Sequence, residues 1–372
     1  MKIARTELRQ VELPLLFPFE TSLWRQDSHV CVLVRLFADG AEGWGECPTE
    51  AAPLYNEEAV GTAWYVLETF ILPRLVGREL EHPSEFPPLV RHLRRNHMAK
   101  AGVEAALWDL YSQMHGVPLA GALGGVKDRI AVGVSLGIEP SLEALMRRIE
   151  EFLRRGYQRI KIKIKPGWDV DVVREIRRIF GGIKLQVDAN SAYTLDHAGV
   201  FRELDAYDLL LIEQPLDEDD IVDHAALQAQ LRTPICLDES IVTPKDARKA
   251  IQLGSCRVIN IKAARLGGLS AAVATHDLCR QAGLPVWCGG LLETGIGRAA
   301  NIALSSLPNF LLPGDVSASD RYYHEDLIDP PVTLNPDGTI TVPTSSGLGF
   351  RILTERVERY TVRKASFGAK TG

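Results

Sequence analysis

Short apolar runs recur through the second half of the chain, each followed by an amphipathic stretch. The runs are "IAVGVS" (130–135), "RIKIK" (159–163), "IKLQVD" (183–188), "DLLLIE" (208–213), "TPICLD" (233–238), "CRVINIK" (256–262), "LPVWC" (284–288) and "PNFLLP" (308–313). Between them lie helical patterns such as "SLEALMRRIEEFLRRGY" and "WDVDVVREIRRIF". A short apolar run reads as a strand, and an apolar repeat every three to four residues reads as a helix. Parallel strands need such helical crossovers. Eight successive βα units predict a closed (β/α)8 barrel of the TIM type rather than an open sheet. The last helix is expected around 316–330.

The segment before the barrel has a different rhythm. "HVCVLVRLFADGAEGWGECP" is two apolar runs about an "ADG" turn, a hairpin pattern. "NEEAVGTAWYVLETFILPRLV" and "AKAGVEAALWDLYSQMHG" have apolar residues at helical spacing, the second closed by Gly116 and Pro118. Strands followed by helices make an α+β unit. After about residue 330, "PPVTLNPDGTITVPTSSGLGF" reads as a hairpin around Asp337-Gly338. The expected organisation is an α+β capping domain at 1–127, a barrel at 128–328, and a segment at 329–372 that returns to the cap.

In "RIKIKIKPGWD" apolar and cationic residues alternate strictly from Arg159 to Lys165. Period two places Ile160, Ile162 and Ile164 on one face and Lys161, Lys163 and Lys165 on the other. In a barrel the isoleucines face the helices and the lysines face inward. Lys161 then lies one layer below Lys163, roughly 6.6 Å along the strand. Lys165 precedes Pro166, has left the strand and is expected to be a spectator.

Lys163, Asp188, Glu213 and Asp238 each close an apolar run, 25 residues apart in every case, and Lys262 follows after 24. A lone Asp or Glu after a strand is most often a turn residue or helix cap, and a lone Lys is most often a snorkelling side chain. Asn190 and Ser240 are better cap candidates than the aspartates before them. Five ionisable groups in step with the βα repeat are another matter. They converge on the C-terminal mouth, where barrel enzymes keep their active sites. Three neighbouring carboxylates repel one another and take up protons unless a cation lies among them. All-oxygen ligands suit Mg²⁺, with Mn²⁺ or another divalent cation as a substitute. The lysines flank the carboxylates on either side. That suits proton removal and delivery at a carbon beside a metal-held carboxylate.

The chain has 372 residues, a net charge of −6 and 24% charged residues. A general electrostatic footprint for nucleic acid is not expected. The first twenty residues hold no continuous apolar core of a signal peptide, and no run is long enough to span a membrane. The six cysteines show no metal or disulfide spacing and read as reduced core residues of a cytoplasmic protein. The histidines show no catalytic spacing; His224 and His276 are expected on a surface or in a core. "GIGRAA" (295–300) formally matches a dinucleotide fingerprint, with Asp315 downstream, but it belongs to the seventh βα unit.

The motifs "KIK" (161–163), "DAN" (188–190), "EQP" (213–215), "DES" (238–240) and "NIK" (260–262) resemble those of the enolase superfamily. That superfamily uses Lys or His bases with Mg²⁺ and an enediolate. The two-lysine pattern is similar to its muconate-lactonizing subgroup. "EGWGECPTEAAPLY", "HMAKAGVEAALWD", "LLIEQPL", "PVWCGG", "LETGIGRAAN" and "LPNFLLPGDVSASDRYY" resemble the o-succinylbenzoate synthase / N-succinylamino acid racemase family. The resemblance runs over about residues 3–350. It implies Lys163 and Lys262 as the acid/base pair and Asp188, Glu213 and Asp238 as metal ligands. It implies Lys161 and Asn190 for positioning the substrate carboxylate and the metal site, and Ser135 as a pocket wall. "LETG", with Glu293, would meet the substrate side chain. Phe19 and the loop 20–27 would set specificity, with Leu23 where relatives often carry a second aromatic. Arg265 resembles a position associated with racemase activity.

In the implied synthase reaction, a step of menaquinone biosynthesis, Lys163 takes the α-proton of a cyclohexadiene carboxylate. Hydroxide leaves from the same face while Lys262 stays cationic. In the racemase each lysine serves one face of an N-succinylamino acid. Dipeptide epimerase and muconate cycloisomerase are sister alternatives, and a dinucleotide-dependent oxidoreductase is a remote one. The expected partner is a small-molecule carboxylate, without nucleic acid or membrane, and the chain is expected to form a homo-oligomer.

Overall fold

The computed structural model describes residues 1–21 and 24–368. Three long antiparallel strands open it: β1 (Ile3–Glu20), β2 (Arg25–Ala38) and β3 (Ala41–Cys47). β2 and β3 form the hairpin expected from "ADG". Its tip works because Asp39 and Gly40 both take positive φ, 51° and 81°, the turn geometry that matches strand twist. The helix His97–Met114 packs across β3 and β2. Gly43 and Gly45 let it approach: a Cβ at either would meet the backbone oxygen of Ala106 or Gly102 at 2.2 or 2.1 Å.

Seven short parallel strands form the second sheet: β5 (Val134–Leu136), β6 (Ile160–Lys163), β7 (Leu185–Asp188), β8 (Ile212–Glu213), β9 (Ile235–Leu237), β10 (Val258–Ile261) and β11 (Val286–Cys288). They pair in sequence order from β5 to β11. The expected eighth strand, 308–313, does not form. Single bridges from Phe310 to Val286 and from Gly314 to Val132 fill that gap, because Pro308 and Pro313 cannot donate to a ladder. The first run splits as well. β4 (Arg129–Ala131) leaves the barrel to pair with β13 (Thr339–Thr341), and only β5 joins the curled sheet. The turn at Asp337-Gly338 is closed locally by the Asn335 N–H, which donates to the Thr339 carbonyl at 2.8 Å, but the strand that follows takes its ladder partner across the molecule. The helix expected at 316–330 is a single 3-10 turn, Ser319–Arg321.

After a two-stranded patch of β12 (Ile328–Asp329) and β14 (Arg351–Ile352), the tail returns to the cap. There β15 (Thr361–Gly368) pairs antiparallel with β1.

Ile160, Ile162 and Ile164 are fully buried in the core outside the barrel, and Lys161 and Lys163 are buried within it. Leu211, Cys236, Val258 and Trp287 form a separate cluster. Leu211 and Cys236 lie two residues before Glu213 and Asp238, so period two puts each one layer beneath the acid of its own strand, and Cys236 and Val258 stand level with Glu213. All six cysteines are buried and free. His224 and His276 are core residues whose Nε2 atoms accept the backbone N–H of Leu216 and Asn309 at 3.2 and 3.0 Å. No helix among the described residues is long and apolar enough to cross a membrane.

Candidate active site

The 25-residue spacing brings the ionisable groups together, but not at one level. Lys163 stands in register with Asp188, and Asp188 with Glu213. On β9, however, the partner of Glu213 is Cys236, two residues before Asp238. On β10, Val258 in turn faces Cys236. Asp238 thus rises one layer and Lys262 two, the stagger expected of tilted barrel strands.

The two strand-end lysines, Lys163 and Lys262, meet different carboxylates of the set. Lys163 Nζ donates to Asp188 Oδ2 at 2.7 Å and to Asn190 Oδ1 at 2.6 Å. Lys262 Nζ lies 2.8 Å from Asp238 Oδ2. Lys161 Nζ, deeper, sits 3.2 Å from Asp188 Oδ2, 3.0 Å from Glu213 Oε2 and 2.8 Å from Asp315 Oδ2. Asn260 Nδ2 donates to Glu213 Oε1 at 2.8 Å. The repulsion expected among the carboxylates is therefore partly met by lysines. Burial works against the Asp188 charge, but Lys163 and Lys161 outweigh it and hold its pKa at about 2. Burial, then Asp188, raise that of Glu213. Burial also opposes the Lys161 and Lys262 ammonium ions. Asp315, Glu213 and Asp188 raise the first above its ordinary value, and Tyr55, Glu239 and Glu213 raise the second.

Asn190 and Ser240 are not helix caps. Asn190 bridges Lys163 to Glu239, donating to Glu239 Oε1 at 2.8 Å, and Ser240 Oγ accepts from Gln214 Nε2 at 2.7 Å. Asn190 and Gln214 hold φ of +43° and +37°. Such backbone is uncommon for residues other than glycine and concentrates at functional sites.

The pocket above these groups is lined by Lys161, Lys163, Lys262, Asn190 and Ser135 from the barrel, and by Phe19 among others from the cap. Ser135 Oγ is buried and without a protein hydrogen bond. Two expected pocket residues lie elsewhere. Arg265 sits behind Asp238, donating to its Oδ1 and to the backbone oxygens of Ile241 and Asn260. Glu293 folds back on its own loop, accepting from Leu291 N at 2.9 Å and Asn301 Nδ2 at 3.0 Å. Lys165 is half-buried and bridges Trp168 through its backbone. Leu23 lies outside the described residues.

Sequence reasoning missed Asp315, Arg159 and Tyr55. Asp315 follows the eighth apolar run as the other acids follow theirs, a signal available in the spacing. It is 2.7 Å from Arg159 Nη2, and this pair with Lys161 seals the eighth position. Tyr55 comes from an irregular cap loop that carries no local signature. Its hydroxyl meets Lys262, Arg265 and Asp238 at 3.1, 3.0 and 3.1 Å.

The "GIGRAA" turn is no diphosphate cradle. Glu46 on β3 accepts from the N–H of Thr294 and Gly297, at 3.1 and 3.0 Å, and Asp326 from that of Gly295, at 2.6 Å. A Cβ at Gly295 would meet Ile328 at 2.3 Å, so that glycine serves packing. The N–H groups a phosphate would need are already taken by carboxylates.

For a cation, Asp188, Glu213 and Asp238 offer buried carboxylate oxygens at the ends of three adjacent strands, met by lysines, Arg265 and neighbouring groups. This donor set fits a hard divalent ion. His29, Cys31 and Glu46 also bring ligand-type atoms within 4.8 Å of one another. There Glu46 already accepts from His29 at 3.1 Å and from Thr294 and Gly297, and burial pushes the Cys31 thiol well up. That group is committed to holding the cap on the barrel.

Two family models match the chain. Residues 3–124 match the N-terminal domain of mandelate racemase / muconate lactonizing enzyme, and residues 144–356 match the enolase C-terminal domain-like model. An o-succinylbenzoate synthase of Geobacillus kaustophilus is 52% identical over 95% of this chain and 94% of its own. An N-succinylamino acid racemase of Thermus thermophilus is 48% identical over 97% of this chain and 98% of its own. The crystal structure of an enolase-superfamily member from Listeria innocua superposes with a TM-score of 0.95 at 40% identity, covering 99% of both chains. Membership implies a divalent metal, and relatives 45–52% identical are o-succinylbenzoate synthases and N-succinylamino acid racemases, so the chain is an enzyme. It belongs to the enolase superfamily and, within it, to the o-succinylbenzoate synthase / N-succinylamino acid racemase family.

Proposed function

We propose that the chain removes the proton α to a substrate carboxylate, as an o-succinylbenzoate synthase, an N-succinylamino acid racemase or both, in the cytoplasm. The observation that carries this is the lysine pair. Lys163 ends β6 and Lys262 directly follows β10, on either side of the carboxylate strands, each against a different acid of the set, at 2.7 and 2.8 Å. A reacting carbon between them has one ammonium or amine on each face. Asp188, Glu213 and Asp238 would hold Mg²⁺, which when bound supplies charge stabilisation for the carboxylate of the enediolate.

The chain's own groups divide the remaining work. Lys163 takes or returns the proton on one face, oriented by Asn190. Lys262 serves the other face. Its raised pKa keeps it cationic, which suits donation or stabilisation of negative charge. Lys161 presents its ammonium from below to the substrate carboxylate, backed by Asp315. Ser135 Oγ is available to the substrate, and Phe19 and the cap shield it from water.

The test is α-proton exchange in D₂O on N-succinylamino acids, beside dehydration of the cyclohexadiene carboxylate, with Mg²⁺ and after chelation. Exchange or dehydration that stops on chelation and returns with Mg²⁺ is expected. Neither reaction in the presence of Mg²⁺ would reject the proposal.

A further inference from the structure

Glu50 is the odd residue of the pocket. The cap contributes Phe19, Thr21, Trp24, Gln26, Glu50 and Tyr55 to the wall, and only Glu50 among these carries a formal charge. It is half-buried, and its backbone is pinned by a bridge to Ala59 and a hydrogen bond from Val60 N at 2.8 Å. Among the described residues no side chain or backbone group donates to its carboxylate. Asp315, the other acid lining the pocket, has Arg159 and Lys161 at 2.7 and 2.8 Å. Burial raises Glu50 to about 7, against the charges of His29, Lys262 and Lys163. A carboxylate held partly out of water without a partner is costly, and a ligand that supplies a donor recovers that cost.

We infer that Glu50 is a specificity-determining residue that selects N-acylamino acids whose side chain ends in a cation, an ammonium or guanidinium. This rests on the reaction proposed above. The α-carbon between Lys163 and Lys262 directs its proton at a lysine and its carboxylate down toward Lys161. The acyl group and the side chain are left to meet the cap. A succinyl carboxylate against Glu50 would put like charge on like charge, so the acyl group turns away and the side chain meets Glu50. An aliphatic side chain would leave Glu50 unpaired, and an acidic one would be repelled. Discrimination thus has an attractive and a repulsive part.

The test compares kcat/KM for α-proton exchange on N-succinyl-L-lysine and N-succinyl-L-norleucine, similar in reach but differing in the terminal charge. The unmodified protein is expected to favour the lysine substrate about tenfold, in line with one charged hydrogen bond. Glu50→Gln should bring the ratio near one while exchange on norleucine persists. Glu50→Lys should turn the preference toward N-succinyl-L-glutamate. The inference is overturned by equal ratios in the unmodified protein and Glu50→Gln, or by equal loss on both substrates. Norleucine exchange without a lysine preference would sink it and leave the proposed reaction standing. No exchange on any substrate, together with no dehydration, would sink both.

Discussion

The Tyr55 hydroxyl from the cap touches both members of the Lys262–Asp238 ion pair of the barrel, 3.1 Å from each, and its ring centre lies 4.4 Å from the lysine ammonium. The capping domain therefore reaches the candidate acid/base group directly. Tyr55→Phe keeps the ring and removes the hydrogen bonds. We expect kcat to fall about tenfold with the fold intact, and Tyr55→Ala to fall further because the cation–π contact goes too. Steady-state kinetics with circular dichroism as a control checks this; unchanged kcat in both variants would count against a role for Tyr55.

The lysine pair predicts a split between the two reactions. Lys163→Ala should lower both exchange and dehydration by about 10²–10⁴-fold, the usual worth of a positioned acid or base. Lys262→Ala should abolish racemisation, which needs both faces, and leave residual exchange of one enantiomer. Following exchange of each enantiomer by NMR separates the faces. Full activity in both variants would sink the proposed chemistry.

Glu46 predicts coupling between cap and loop. Its oxygens accept from His29, Thr294 and Gly297, and Gly290, Leu291 and Leu292, just before Thr294, line the pocket. Glu46→Ala leaves several buried donors unpaired at roughly 1–3 kcal/mol each. We expect a Tm lower by several degrees and a raised KM. Denaturation and kinetics on the same preparation check the two together, and a Tm unchanged within error would show that the latch is not needed.

Two buried acids away from the site predict a pH dependence of stability. Burial raises Glu104 to about 7 and Asp109 to about 6. The folded state then holds protons that the unfolded chain has lost, so stability falls as pH rises from about 4 to about 7 and is level above that. Glu104 Oε1 has no hydrogen-bond partner. Glu104→Gln should stabilise the protein at pH 8 by about 1–3 kcal/mol and flatten this slope. Urea unfolding at pH 5 and pH 8 measures it; an unchanged slope would refute the assignment.

Much of this site is written locally. The alternation of Ile160 to Lys163 has period two, so one buried face implies the other, and the 25-residue step from Lys163 to Asp238 repeats one βα unit. Both follow from strand geometry and crossover length alone, which is why they could be read without coordinates. The same step could not reveal the rise of Asp238 and Lys262 along the barrel. Register depends on strand tilt and on neighbours more than twenty residues away. Nor could it show that Pro308 and Pro313 leave the eighth position to single bridges, or that Thr339–Thr341 pairs with Arg129–Ala131. Arg265 and Glu293 lie in readable motifs, yet the direction of each side chain was decided by Asp238 and Asn301. Tyr55, Glu46 and Glu50 belong to the cap and meet the barrel only when the two pack. The chain by itself thus determined the repeat, the inward face and the chemistry of the ring. Tertiary structure alone decided the stagger of that ring and which cap residues touch it, because both arise from contacts between segments far apart in sequence.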